Sequence, residues 1–241
     1  MTWLILLPAA LLTSIISGFV GMAGGITLLA VLTFIYPIHV LLPLHGTVQF
    51  FSNISRTFML RHEVRRPVLI AFLPGVIPGA LAARTLLLHL PHTEWILILI
   101  IVLLFYTALR PQNLPELRIG RPGFFVLGMV TGFLGPLMGA TGPLLAPFFL
   151  RSDYRKEEIV ATKAACQMIT HVVKFPVFFS LGFRYGDYAA ELLVMVAGVV
   201  VGTRIGITVL RRASPGRFLF FLKLAMVLTG VRLILKLAGI I

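Results

Sequence analysis

The chain has 241 residues, of which 59% are hydrophobic and 12% charged, with a mean hydropathy of +1.01. Soluble domains carry about 25% charged residues, so this chain cannot cover itself with a water-compatible surface. At ~20 apolar residues per helical crossing it has room for about eight to ten crossings or half-crossings. The formal charge of +13 would suit nucleic acid only if the basic residues lined one soluble face, but they lie mainly between apolar runs, so no nucleic-acid partner is expected. The single cysteine, Cys166, excludes a disulfide framework and a Cys/His zinc set, so neither metal nor cofactor is called for.

The first apolar run, at ~2–19, lacks the basic start of a secretory signal, since Arg56 is the first Lys or Arg, and it is expected to be a retained helix. A shorter helix at ~26–36 follows, then longer ones at ~44–61, ~67–89 and ~93–109. After the polar stretch Pro111 to Arg121 the order recurs, with helices at ~122–134, ~143–150, ~158–181, ~188–210 and ~215–238, the third of these open to a kink at Pro176. The expected fold class is an all-α integral membrane protein: a first membrane repeat at 1–110, a cytoplasmic linker at 111–121 and a second repeat at 122–241.

Four connections are basic: Arg61, Arg65 and Arg66; Arg110, Arg118 and Arg121; Arg151, Arg155 and Lys156; Arg211, Arg212 and Arg217. Lys and Arg near helix ends are retained on the cytoplasmic side. Placing all four inside requires each leading pair of short helices to enter and leave on the same side, as a hairpin that is either re-entrant or fully spanning. The N- and C-termini are then both outside a bacterial-type inner membrane. Three full helices follow each hairpin, so the second unit is inverted relative to the first.

Ordered matches between the halves support the same organisation. Ser17-Gly18-Phe19-Val20-Gly21 reappears as Thr131-Gly132-Phe133-Leu134-Gly135, and Leu28-Leu29-Ala30 as Leu144-Leu145-Ala146. Gln49, Asn53 and Arg56 are answered by Gln167, His171 and Lys174 at identical spacing, and the Gly75 and Gly79 pair by Gly198 and Gly202. Two tandem copies in opposite orientation are a recurrent transporter architecture. The string Gly18-Phe19-Val20-Gly21-Met22-Ala23-Gly24-Gly25, followed by an apolar run, the Gln49 helix and the basic turn Arg61 to Arg66, resembles the first half of the sulfite exporter TauE/SafE family. The second copy resembles the family's second half, so the likeness covers nearly the whole chain. Its second turn, Gly135 to Gly142, departs from the usual pattern in being less purely glycine. The resemblance implies permeation of sulfite, sulfonates, sulfoacetate or related anions.

The residues themselves point toward a small anionic partner. Glycines Gly21, Gly24 and Gly25, and Gly135, Gly139 and Gly142 with Thr141, interrupt apolar runs directly ahead of short helices. A helix start presents unpaired N–H groups and about +0.5 charge, which attracts an anion. The competing reading, close helix packing through small residues, applies to Gly75, Gly79, Gly198, Gly202 and Gly206 and is open for the two clusters as well. Gln49, Asn53 and Arg56 share one helical face, as do Gln167, His171 and Lys174. Arg204, beside Gly202, is a further candidate anion contact, and His171 a candidate for a coupling proton.

Arg56 has a second reading, as a side chain reaching the cytoplasmic surface. All eight acidic residues, Glu63, Glu94, Glu116, Asp153, Glu157, Glu158, Asp187 and Glu191, fall at expected helix ends or in loops. A basic, amide-rich interior without carboxylates argues against a cation carrier and offers no catalytic acid/base set. The expected activity is therefore secondary transport of the anion through the lipid bilayer, with export favoured and a proton or sodium ion open as the coupling partner. The alternatives are a passive anion channel and, further off, a membrane-embedded lipid-modifying enzyme.

Overall fold

The computed structural model describes residues 2–87, Phe105 and 116–240. Ten α-helices are described: α1 (Trp3–Val20), α2 (Gly24–Thr33), α3 (Ile38–Met59), α4 (Arg66–Leu87), α5 (Arg121–Met138), α6 (Gly142–Phe149), α7 (Lys156–Val172), α8 (Lys174–Ser180), α9 (Ala189–Arg212) and α10 (Pro215–Leu237). No strand occurs among the described residues. The helix expected at ~93–109 and most of the linker lie outside the described residues. The single helix expected at ~158–181 is two, α7 and α8, divided at Val173. Pro176 has no N–H to offer the Val172 carbonyl, and its ring crowds that turn.

Among the described residues, α1, α4, α5 and the Tyr185–Arg212 segment that contains α9 are long and apolar enough to cross a membrane. The distribution of side chains agrees: Leu4, Ile70 and Leu193 are exposed, whereas Gln49, Asn53, Arg56, Lys163 and Lys174 are buried. An apolar exterior around a polar interior suits hydrocarbon, where polar groups must find partners inside the protein.

Glycine sets the closest packing. A methyl group at Gly202 would lie 2.2 Å from the Leu11 carbonyl oxygen, and one at Gly75 would lie 2.0 Å from that of Phe125, so α9 lies backbone to backbone on α1, and α4 on α5. The residues facing Gly198, Gly202 and Gly206 ascend from Leu7 to Ile15, which makes α1 and α9 parallel. The residues facing Gly75 and Gly79 ascend from Phe125 to Phe133, which makes α4 and α5 parallel. Ser14 and Ser17 of α1 meet Ser52 and Arg56 of α3 in the same order, so α3 runs with α1.

Helix α7 begins where α3 and α9 end. The Arg65 N–H donates to Thr162 Oγ1 at 3.0 Å, and Lys156 Nζ donates to the Leu210 carbonyl at 2.6 Å. The described residues of the four basic connections therefore meet at one end of the bundle. Arg65 pairs with Glu158 at 3.2 Å, Arg155 with Glu63, and the Ser152 N–H donates to Glu116 at 2.8 Å. These loop contacts are worth little individually, since exposed ion pairs contribute about 0–1 kcal/mol, but they fix which connections share an end.

Gly21 closes α1 with φ +76° and Gly139 closes α5 with φ +78°, both in the left-handed region that glycine enters without a Cβ penalty. The short helices α2 and α6 then begin at Gly24 and Gly142. Gly139 stands 118 positions after Gly21, the same spacing that separates Gln167 from Gln49 and Lys174 from Arg56. The sequence comparison sets Gly21 against Gly135, one helical turn too early. What the two segments share is a positive φ at the glycine that ends each helix, not the Gly-Phe string before it. Thr13 and Thr131, also 118 positions apart, each return a hydroxyl to the carbonyls three and four residues back.

Candidate anion site between the glycine turns

Helices α3 and α7 run antiparallel through the centre and turn polar stripes toward each other. On α3 the stripe is His45, Gln49, Asn53 and Arg56; on α7 and α8 it is Lys163, Gln167, His171 and Lys174. Positions three or four apart share a helix face, which is why each set projects together. All eight side chains are buried. The glycine turns close over the stripes: a methyl at Gly25 would lie 3.1 Å from Gln49 Oε1, and one at Gly142 would lie 3.2 Å from Gln167 Nε2. Within the first turn, between Gly21 and Gly24, Ala23 holds φ +69°, the single non-glycine residue with positive φ among the described residues. Such sparsely populated backbone costs about 1–3 kcal/mol, and it concentrates at ligand sites.

A small cavity here is lined by Gly21, Gly25, His45, Gln49, Arg56, Gly142, Gln167 and His171, together with Ser17, Met22, Ala23, Ile26 and Ala140. Its space for the centre of a water molecule is about 10 Å³, enough for about one water. Arg56 donates from Nη1 to the Ser17 carbonyl at 3.0 Å and from Nη2 to Ser52 Oγ at 3.3 Å. Lys174 Nζ donates to the Gly139 carbonyl at 2.6 Å, bracing the second turn. His45 Nε2 meets the Gly25 carbonyl at 2.8 Å, and its ring stands edge-on to that of His171 with centroids 6.3 Å apart.

Six polar atoms in this cluster are buried without a hydrogen-bond partner: His45 Nδ1, Asn53 Oδ1, Arg56 Nε, Lys163 Nζ, Gln167 Oε1 and His171 Nδ1. Each such orphan costs about 1–3 kcal/mol, so their concentration at one place calls for a polar guest rather than for packing alone. No carboxylate balances the charge. Among the described residues, every ion pair involves loop or helix-end groups, and none involves Arg56, Lys163 or Lys174. Nor do three or more His, Cys, Asp or Glu side chains converge as a metal site among them.

A comparison with protein families decides the membership. The profile of the sulfite exporter TauE/SafE proteins matches residues 6–233. The chain belongs to the TauE/SafE family. No curated protein and no solved structure matches it. TauE/SafE membership and the apolar helices together make it a multi-pass membrane protein of a transporter family.

In this TauE/SafE chain, Gly21, Gly25, Gln49, Arg56, Gly142, Gln167 and His171 come together around the cavity. Asn53 is buried beside them, with its amide donating to the Gln49 carbonyl at 2.7 Å. Gly139, Thr141 and Lys174 form the adjoining wall, where Thr141 Oγ1 and Thr170 Oγ1 are 3.4 Å apart. Gly24 packs on α1 instead, because a methyl there would lie 1.8 Å from the Thr13 carbonyl oxygen. Arg204 is not brought to the site. It is exposed on the outer side of α9, while the preceding Thr203 is the buried residue, with Oγ1 3.4 Å from Ser52 Oγ. One residue is a rotation of about 100° on a helix, and nearness to a glycine notch does not say which side of the notch a neighbour takes. Sequence reasoning missed His45 and Lys163. Both sit one turn before the glutamines of the two stripes and are themselves 118 positions apart, a signal that extending each stripe by one turn would have found.

Proposed function

We propose that this TauE/SafE protein is a secondary transporter that carries a small sulfur-containing or organic anion, of the sulfite, sulfonate or sulfoacetate class, by exposing one central site alternately to the two sides. The observation that carries this reading is the buried cluster of Arg56, Lys163 and Lys174 among amide and imidazole groups, with no carboxylate among the described residues near it. Each buried cation costs ~2.5–3.5 kcal/mol to place at bilayer depth, about 8–10 kcal/mol for three. A bound anion offsets part of that cost, whereas a cation would add to it. The starts of α2 and α6 add partial positive charge at the same place.

Several observations support an inverted repeat of units 1–110 and 122–241, joined through 111–121, with both termini outside. These are the parallel pairing of α1 with α9 and of α4 with α5, the common end for the basic connections, and the 118-residue offset shared by the glycine turns and the polar stripes. Export is the favoured direction, because an inside-negative potential assists an outgoing anion by ~2.3 kcal/mol per charge per 100 mV. His171, facing His45 in the cavity wall, is the candidate for carrying a coupling proton, and sodium is the alternative coupling ion. The small size of the central cavity, with room for about one water, supports a carrier over a continuously open pore. Reconstitution in proteoliposomes tests this directly. Saturable sulfite uptake accelerated by sulfite on the opposite side marks a carrier, ohmic current across a planar bilayer marks a channel, and no anion flux of either kind refutes both.

A further inference from the structure

Lys163 differs from the other two buried cations in having nothing to do. Arg56 and Lys174 each donate to a backbone carbonyl at the end of a helix, Ser17 and Gly139 respectively. Lys163 is 0% exposed, and its Nζ has no hydrogen-bond partner. It lies against the first glycine turn: a methyl at Gly21 would sit 3.4 Å from both its Cε and its Nζ. Lys163 follows the start of α7 at Lys156 by seven residues, about 10 Å along the axis, and its complete burial excludes reaching the basic surface. The charge that bears on it is another cation, the guanidinium of Arg56, whose Nε is the second unpartnered donor of this wall. Arg56 lines the cavity beside Gly21 and Lys163 packs against the same turn just behind that lining, whereas the cation at the other turn is already engaged by Gly139. An ammonium ion has three donors, no acceptor capacity and a large desolvation penalty when left unpaired, so this arrangement is completed by an acceptor that is itself negative.

We infer that Lys163 is a direct ligand of the transported anion, and that with Arg56 it makes the Gly21 turn a seat selecting doubly charged oxyanions over singly charged ones. The inference rests on the transport reading above and deepens it by naming the charge class of the substrate. Tetrahedral or pyramidal dianions present oxygens to both donors at once. A monoanion neutralises only one of the two charges.

The experiment measures binding to the purified full chain in detergent, by anion-dependent thermal stabilisation, with sulfate as the dianion and methanesulfonate as the monoanion. Wild-type protein should bind sulfate about tenfold or more tightly than methanesulfonate, the value of one additional charge-assisted contact. Lys163→Met should reduce that preference about tenfold, and Lys163→Arg should retain most of it. Because methionine removes an unpaired buried charge, the ligand-free melting temperature of Lys163→Met should equal or exceed that of the wild type. Equal binding of the two anions by wild type, or an unchanged preference in Lys163→Met, overturns the inference. A Lys163→Met chain that cannot fold also overturns it, by assigning the lysine to the fold. If no anion stabilises the wild type, the transport reading falls with it. Binding without dependence on Lys163 removes this inference alone.

Discussion

Adding one methyl group at Gly24 or at Gly25 should give opposite results, although the two glycines are neighbours at the start of α2. At Gly24 the methyl carbon would lie 1.8 Å from the Thr13 carbonyl oxygen and 2.4 Å from Ser17 Oγ, so the backbone of α1 itself is in the way. An ordinary contact needs about 3.4 Å or more between such atoms, which requires α1 and α2 to separate by roughly 1.5 Å through a densely packed interface. Overpacking of this kind costs typically 1–3 kcal/mol and sometimes more, and the gain of about 1 kcal/mol from alanine's helix preference only partly offsets it. At Gly25 the nearest atom is Gln49 Oε1 at 3.1 Å, the far end of a flexible side chain. There the helix preference balances the steric cost, so stability should change by less than about 1 kcal/mol, while Gln49 is pushed off its position in the cavity wall.

Gly24→Ala should therefore be destabilised by about 1–2 kcal/mol relative to Gly25→Ala, roughly five- to thirtyfold in the folding equilibrium. Gly25→Ala should keep its fold and lose transport. Thermal melting in detergent, read alongside uptake in proteoliposomes, separates the two. A Gly24→Ala protein as stable as Gly25→Ala would refute the assigned α1 and α2 contact, and undiminished transport by Gly25→Ala would remove Gln49 from the site.

Arg56→Met should abolish or strongly weaken anion uptake while membrane insertion persists, checked by uptake rate against the amount of folded protein. Lys174→Met should lose transport and also stability, by about 1–3 kcal/mol, because the Gly139 carbonyl is left buried without its donor; a melting temperature equal to wild type would contradict that bracing role. Arg204→Ala should transport at the wild-type rate, since its side chain is exposed on the far side of α9. Hydrogen bonding to Arg151 holds the Asp153 carboxyl below its ordinary value of 3.8. The native state thus favours the charged form, so this loop contact contributes at neutral pH and is lost as pH falls through and below that value, a small effect to be read as loop protection in hydrogen exchange. Cys166 is fully buried, so an impermeant maleimide should label only introduced cysteines: Arg155→Cys from the cytoplasmic side and Gly239→Cys from outside.

The long apolar helices were legible because hydrocarbon imposes length and composition directly, and their ends follow the basic residues that the bilayer keeps at its surface. The polar stripes of α3 and α7 were legible for a similar reason: amides and cations spaced by whole turns in an apolar run are too costly to be incidental. The positive φ that Gly139 shares with Gly21 was not, because the Gly-Phe string instead aligns Gly21 with Gly135, which has helical neighbours on both sides. The distinction between Gly24, which lets α1 approach, and Gly25, which faces Gln49, is likewise set by tertiary contact. Lys163 does not stand out from Arg204, Lys223 and Arg232, which also fall within or beside apolar runs; only its complete burial and missing partner set it apart.

Selenite, a heavier analogue of sulfite, locates the anion by its own anomalous scattering in crystals of the protein. The peak is expected in the cavity between the Gly21 and Gly142 turns, within hydrogen-bonding reach of Arg56 and Lys163. A peak confined to the basic loops, with the centre empty and the Arg56 and Lys163 tips turned toward solvent, would contradict an anion site at the heart of this bundle.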